Sequence, residues 1–289
     1  MLIAQLTDIH YGVSKKKQRD LGETRRLIAC VDHINTFDEK IDLVVVSGDL
    51  AEDGWVEEYQ ALREILDRLK SPYVVIPGNH DRRQNLLAVF DDHDYLPARG
   101  ENHVLFSIDH YPVRVIGLDT SLFGEPYGRL CEHRLAWLDK TLQEDTAKPT
   151  MIFMHHPPVR IGIDWVDSIG LYGSVEFADL LRKYSNIEAV CCGHVHRMVV
   201  SNISNIPVVC APSIHCSISL SLSKNNSYSI LYSDEPLSLF FHYIPSDGNL
   251  VSHLSLVNVN VIDLIGDSGE LSERFKGEYR KLYPSGADR

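Results

Sequence analysis

Short apolar runs alternate with amphipathic stretches along this chain. Leu2–Thr7, Leu43–Val46, Tyr73–Ile76, Thr150–Met154 and Ala189–Cys192 read as strands, as do Val104–Ile108 and Val113–Leu118. Leu43–Val46 has too little polar alternation to face water, as expected of a strand covered on both sides. Asp20–Phe37 carries Leu21, Leu27, Ile28, Val31 and Ile34 at helical spacing, and Glu57–Leu69 places Tyr59, Leu62, Ile65, Leu66 and Leu69 on one face. Both predict amphipathic helices. Further helices are predicted over Arg82–His93, around Leu135, Trp137, Leu138 and Leu142, and over Ser174–Tyr184 with Ser174 as cap. Three strand–helix units in succession imply parallel strands with right-handed crossovers. The loops that follow those strands then share one edge, where open α/β sheets hold their ligands.

Those loops carry unusual side chains. Asp8-Ile9-His10 follows the first strand, Ser47-Gly48-Asp49 the second and Pro77-Gly78-Asn79-His80-Asp81 the third. Later strands end in His155-His156-Pro157-Pro158 and Gly193-His194-Val195-His196. A lone Asp-x-His is usually a turn, and one histidine on an apolar surface is usually a satisfied core residue. Five such groups directly after apolar strands are poorly explained in that way. The i, i+2 spacing places Asp8 with His10, and His194 with His196, on one side of an extended segment. Asp8, His10, Asp49, Asn79, His155, His194 and His196 make seven N/O donors with no thiolate, which argues for two ions in an open catalytic site. Asp49 is the natural shared ligand, because its strand lies between those of Asp8 and Asn79. Such a pair, roughly 3.5 to 4 Å apart, clamps an in-line displacement at phosphorus and acidifies a bridging water. His80 is the candidate proton donor to the leaving alkoxide. His156 is placed behind a ligand or against a phosphate oxygen, and Asp81 is expected to fix an imidazole. The coordination suits Mn, Fe, Co or Zn.

Charge narrows the partners. The 289 residues carry 40 acidic and 28 basic side chains, a formal charge of -12, which argues against a broad nucleic-acid or anionic-membrane footprint. Lys15-Lys16-Lys17 with Arg19 is the one cationic run and is expected on a solvated loop. No segment reads as a secretory signal or a membrane span, and the six cysteines form no CxxC pair, so reduced thiols and a cytoplasmic location are expected. After Pro212 the texture becomes Ser- and Asn-rich. Strands are expected over Tyr228–Tyr232, Leu237–Tyr243 and Val257–Ile265, with a turn at Asp247-Gly248-Asn249.

Asp8-x-His10, Gly48-Asp49, Gly78-Asn79-His80-Asp81, His155 and Gly193-His194-x-His196, in this order, resemble the five blocks of the calcineurin-like metallophosphoesterase superfamily. The resemblance implies an α/β fold: a four-layer α-β-β-α sandwich of two mixed sheets rather than one open parallel sheet. It implies Asp8, His10, Asp49 and His196 around one ion, and Asp49, Asn79, His155 and His194 around the other, with Fe and Mn favoured. The spans Gly54–Gln60, Pro77–Asp81 and His155–Pro158 are similar to the class III cyclic nucleotide phosphodiesterase and glycerophosphodiesterase branch. That branch implies a catalytic domain over 1–215, a small C-terminal β cap or dimerisation element over 216–289, a homo-oligomer, and His215 lining the substrate pocket. Glu52 stands where purple acid phosphatases have a metal-binding tyrosine, and Gly54-Trp55 follow Asp53 where Ser/Thr phosphatases have Asp-Arg-Gly. The expected activity is hydrolysis of small phosphodiesters, cyclic nucleotides or glycerophosphodiesters. A DNA nuclease on the same scaffold and a non-catalytic interaction module are the alternatives.

Overall fold

Period-two burial along the strands builds the layers. In the computed structural model, which describes residues 1–12, 22–97, 102–222, 232–246 and 249–258, strand β1 (Leu2–Leu6) leads to helix α1 (Glu23–Asn35), β2 (Leu43–Ser47), α2 (Val56–Leu66), β3 (Tyr73–Ile76) and α3 (Arg83–Val89). Next come β4 (Leu105–Ile108), β5 (Arg114–Leu118), β6 (Gly128–Arg129), α4 (Glu132–Glu144), β7 (Thr150–Met154), α5 (Asp164–Asp167), β8 (Leu171–Tyr172) and α6 (Ser174–Leu181). The remainder is β9 (Ile187–Cys192), β10 (Val199–Ile203), β11 (Ile206–Cys210), β12 (Ser217–Ile218), β13 (Tyr232–Ser233), β14 (Ser238–Tyr243) and β15 (Val251–Leu256).

One sheet has the order β15-β14-β1-β2-β3 and the other β10-β11-β9-β7-β5-β4. Leu43 and Val45 of β2 pack with Met151 and Phe153 of β7 and Ala189 and Cys191 of β9, between the sheets. The alternate residues Val44 and Val46 pack instead against Leu27 and Val31 of α1 and Tyr59 and Leu62 of α2. On the far side, Ile152, Met154 and Val190 meet Leu138 of α4 and Phe177 of α6. The result is the four-layer α-β-β-α sandwich. Both sheets are mixed: β1, β2 and β3 run parallel, as do β5, β7 and β9, while β14 lies antiparallel to β1 and β4 to β5.

Several expectations shift. Residues 238–256, expected in an element apart from the catalytic domain, complete its first sheet instead. Leu239 and Phe241 of β14 join the core that holds α1 and α2, and the compact unit runs from Met1 to Val257. Ser174 does not cap α6; it is the first helical residue, and Gly173 at φ 88° is the cap, with no side-chain bond. Helix α3 stops at Val89, short of the expected end at His93, and Arg63 of α2 satisfies the freed Val89 carbonyl at 2.5 Å while pairing with Asp92. The hairpin of β10 and β11 was not among the predicted strands. Its turn, Ser204-Asn205, has φ of 52° and 66°, both left-handed as the tightest hairpins require.

The run Lys15–Lys17 with Arg19, residues 223–231, Asp247-Gly248 and the chain after Asn258 lie outside the described residues, so the strands expected over Tyr228–Tyr232 and Val257–Ile265 are only partly covered. All six cysteines are free thiols. Among the described residues, no helix is long and apolar enough to cross a membrane. A chain ended after residue 215 loses the β14–β1 pairing. We expect it to show no cooperative thermal transition by circular dichroism, whereas the full chain melts cooperatively; a cooperative melt would show that β1 stands without β14.

Candidate metal centre

The carboxyl ends of β1, β2 and β3 in one sheet meet those of β7 and β9 in the other. Asp8 and His10 follow β1, Asp49 follows β2, Asn79 follows β3, His155 follows β7, and His194 and His196 follow β9. The chain bends sharply there. Asp8, His10, Asp49, His194 and His196 take φ between 49° and 70°, a left-handed region costly for residues with a Cβ. The neighbouring glycines make room. A Cβ on Gly48 would lie 2.2 Å from His155 Nδ1, and one on Gly78 would lie 2.2 Å from Asp49 Oδ1 and 2.4 Å from its backbone nitrogen.

Each imidazole is held from behind by a group that takes its other N–H. His155 Nδ1 donates to the Ser47 carbonyl at 3.0 Å, His196 Nδ1 to the Cys216 carbonyl at 3.0 Å, and His194 Nε2 to the Ile169 carbonyl at 3.0 Å. His10 Nδ1 lies 2.9 Å from Glu52 Oε2. Carbonyl oxygens only accept, so the tautomers are fixed and the remaining nitrogens turn lone pairs inward.

There the lone pairs meet other acceptors. His10 Nε2 and His196 Nε2 are 3.1 Å apart, and His194 Nδ1 is 3.1 Å from Asn79 Oδ1. His155 Nε2 is buried without a hydrogen-bond partner, 3.2 Å from Asp49 Oδ2 and 3.9 Å from Asp8 Oδ1. His196 Nε2 is 3.3 Å from Asp8 Oδ1, and His10 Nε2 is 3.6 Å from Asp49 Oδ2. Acceptors facing acceptors in a buried site are stable only around cations, and this donor set fits a pair of them. Asp8, His10 and His196 form one close group and Asp8, Asp49 and His155 another, with Asp49 reaching imidazoles of both.

Without ions, protons compensate. Burial opposes ionisation of Asp8, but the His196 and His155 imidazoles hold its carboxyl at about 2. Burial likewise opposes charge on Asp49, and His155 and His10 hold it well below the carboxylate range. Conversely, Asp49 and Asp8 outweigh burial to raise His155 to about 9, and Asp8 raises His196 to about 10. His194 stays neutral, pushed to about 3 by burial and by the charge on His155.

A cavity of about 230 Å³ opens over these groups, with His80 and His215 on its wall and Trp165, Ile169, Ile218 and Tyr232 as its apolar side. His80 donates its backbone N–H to Asp49 Oδ1 at 2.9 Å, and its Nδ1 donates to the Glu52 carbonyl at 2.9 Å. Asp81 does not fix an imidazole as expected. Its carboxylate accepts from the backbone of Leu50, Ala51 and Gly78 and from the Tyr59 hydroxyl, so it shapes the two loops instead. His156 does not line the cavity: it is fully buried, bonded to Thr120 Oγ1 at 2.8 Å and the Pro126 carbonyl at 3.3 Å, with its ring 4.4 Å from that of His194. Sequence reasoning missed Glu52, which holds both His10 and His80. Its place three residues after Asp49, in the same loop, was the available signal.

The model of the calcineurin-like phosphoesterase family matches residues 1–198. A probable glycerophosphodiester phosphodiesterase of Arcobacter nitrofigilis is 37% identical over 259 residues, 89% of this chain and 93% of that protein. A 3′,5′-cyclic adenosine monophosphate phosphodiesterase of Escherichia coli is 29% identical over 223 residues, 74% of this chain and 78% of that one. The fold is shared with a dimetal phosphatase from Danio rerio at TM-score 0.63 and 14% identity, covering 87% of this chain and 98% of that one. A purple acid phosphatase from yellow lupin has TM-score 0.65 and 15% identity, covering 91% and 52%. With a family match across the residues that build the metal centre, the chain belongs to the calcineurin-like phosphoesterase family.

Proposed function

We propose that the protein is a dimetal phosphodiesterase acting on small diesters, with glycerophosphodiesters as first candidates and 3′,5′-cyclic nucleotides as second. The carrying observation is the set of lone pairs turned on one another beneath a small cavity with His80 on its wall. The order of candidates follows the relatives: the glycerophosphodiesterase aligns with 89% of this chain and the cyclic nucleotide enzyme with 74%.

Asp8, His10, Asp49 and His196 hold one ion and Asp49, Asn79, His155 and His194 the other, Fe and Mn being the favoured pair. Bound divalent ions supply Lewis-acid polarisation of phosphate and lower the pKa of water. The chain's own groups do the rest. No Lys or Arg lines the cavity among the described residues, so phosphate charge is met by the site rather than by surface cations. The apolar side formed by Trp165, Ile169, Ile218 and Tyr232 limits water and leaves room for one small alcohol group. His80, anchored through Nδ1 to the Glu52 carbonyl, turns Nε2 to the cavity and gives its proton to the leaving alkoxide. His215, with its ring 5.3 Å from that of His10, borders the substrate. A homo-oligomer, with a cap or dimer contact supplied by the C-terminal region, belongs to the same reading.

Replacing His80 by Ala should leave about two ions per chain while turnover falls by roughly a hundredfold or more; normal turnover removes the residue from its role. Asn79→Ala should lose one ion, counted by inductively coupled plasma spectrometry after gel filtration, and two retained ions exclude it as a ligand. Because His155 and His196 hold protons up to about 9 and 10 without ions, metal must displace protons. Mn²⁺ affinity of the stripped chain should therefore rise as pH increases from 6 to 8, and a flat profile counts against this ligand set. Substrate class is read from hydrolysis of glycerophosphoethanolamine, 3′,5′-cyclic AMP, p-nitrophenyl phosphate and single-stranded DNA with Mn²⁺. Cleavage of the small diesters over the monoester and DNA is expected, and preference for DNA makes the protein a nuclease.

A further inference from the structure

Among the described residues, the layer between the sheets is mostly apolar but carries a bonded series of polar side chains. Gln5 of β1, Ser47 of β2 and His242 of β14 all point into it, beside Ile3, Val45 and Phe153, and none has any exposure. The Gln5 amide donates to Ser47 Oγ at 2.8 Å and to the Cys192 carbonyl of β9 at 3.1 Å. His242 Nε2 meets Gln5 Oε1 at 3.0 Å, and His242 Nδ1 meets Ser252 Oγ of β15 at 2.8 Å.

The direction of this series is fixed. The Cys192 carbonyl can only accept, so the Gln5 nitrogen faces it and Gln5 Oε1 faces His242. His242 must then carry its proton on Nε2, and Nδ1 accepts from the Ser252 hydroxyl. Burial keeps the imidazole neutral, pushed down to about 3, so the direction holds at any working pH. Aliphatic residues fill neighbouring positions without needing partners, so packing alone does not call for a glutamine and a histidine here.

Both groups that accept from the Gln5 amide nitrogen lie next to the metal centre. Ser47 precedes Gly48-Asp49, and its carbonyl takes the His155 Nδ1–H. Cys192 precedes Gly193-His194, and Gly193 N donates to the His155 carbonyl at 3.0 Å. We propose that Gln5 and His242 are positioning residues of the metal centre: the series from Ser252 locks the last peptides of β2 and β9, one in each sheet, and so sets where His155 and His194 aim. The proposal rests on the assignment of His155 as a ligand. It also makes β14 and β15 part of the site's support, although neither carries a ligand.

The test compares Gln5→Leu, His242→Phe, their double variant, Ser252→Ala and His155→Ala in the full chain. Mn²⁺ titration of the stripped proteins, thermal melts without metal, and kcat and KM on bis(p-nitrophenyl) phosphate are the readouts. Gln5→Leu and His242→Phe should each weaken Mn²⁺ affinity by about 10- to 100-fold, the size expected when groups that orient a ligand are lost. We expect kcat to fall with KM little changed, and the double variant to bind Mn²⁺ no more weakly than Gln5→Leu. Ser252→Ala, at the partly exposed end, spares the core and should weaken Mn²⁺ binding a few-fold even if the core variants do not fold. Lower melting temperatures with unaltered Mn²⁺ affinity, or unaltered affinity in Ser252→Ala when the core variants do not fold, overturn the proposal. His155→Ala that keeps both ions removes the ligand assignment instead, whereas loss of an ion there beside full affinity in Gln5→Leu removes only the positioning series.

Discussion

The Asp49 carboxylate stands between two imidazoles, 3.6 Å from His10 and 3.2 Å from His155, and takes the His80 backbone N–H on its other oxygen. The rest of the site depends on holding that carboxylate still. Strand β2 is the middle of the three parallel strands, with β1 and β3 on either side, so Asp49 stands between the loops that carry His10 and Asn79. Gly78 leaves it space where a methyl group would collide. Asp81, tied to the backbone of both the β2 and β3 loops, prevents those loops from separating. One strand order, one missing side chain and one buried carboxylate thus converge on a single neighbouring group.

Holding such groups is costly. Five site residues sit at left-handed φ, each at about 1–3 kcal/mol, and acceptors face acceptors until cations arrive. The surrounding framework offsets this through backbone bonds that continue past the strands. Asp8 N donates to Gly48 O, His10 N to Asp49 O and Tyr11 N to Leu50 O, all at about 3 Å. The strain is therefore confined to the strand ends, while the strands below remain regular. Each imidazole is also braced by a group that is not itself a ligand: carbonyls of Ser47, Cys216 and Ile169, and the Glu52 carboxylate.

Much of this was legible in the sequence because the relevant signals are local. Apolar runs ending in Gly-Asp, Gly-Asn-His-Asp or Gly-His-x-His locate strands and donors together, and the strand–helix alternation gives the parallel direction of β1, β2 and β3. What depended on distant partners was harder to read. Asp81 is an acidic residue beside a histidine in sequence, yet its partners are the Gly78 backbone, the backbone of Leu50 and Ala51 some thirty residues earlier, and Tyr59. β14 follows Ser- and Asn-rich sequence, so it looked separate, and only its pairing with β1 across the whole chain shows otherwise. Ser174 resembled a cap until the backbone put Gly173 in that position.

Charge helps explain why a diester suits this site. Among the seven candidate donors only Asp8 and Asp49 are anionic, because Asn79 contributes a neutral amide oxygen. Two divalent ions would leave the centre cationic, which draws a phosphate without any Lys or Arg on the cavity wall. That attraction serves monoesters at least as well as diesters, so it does not choose between them. On the proposed reading the choice falls to the cavity wall, where His80 would protonate the leaving alkoxide and the apolar side formed by Trp165, Ile169, Ile218 and Tyr232 would receive the second alcohol group. A substrate with two alcohol groups uses both features, and a monoester leaves the apolar side unused.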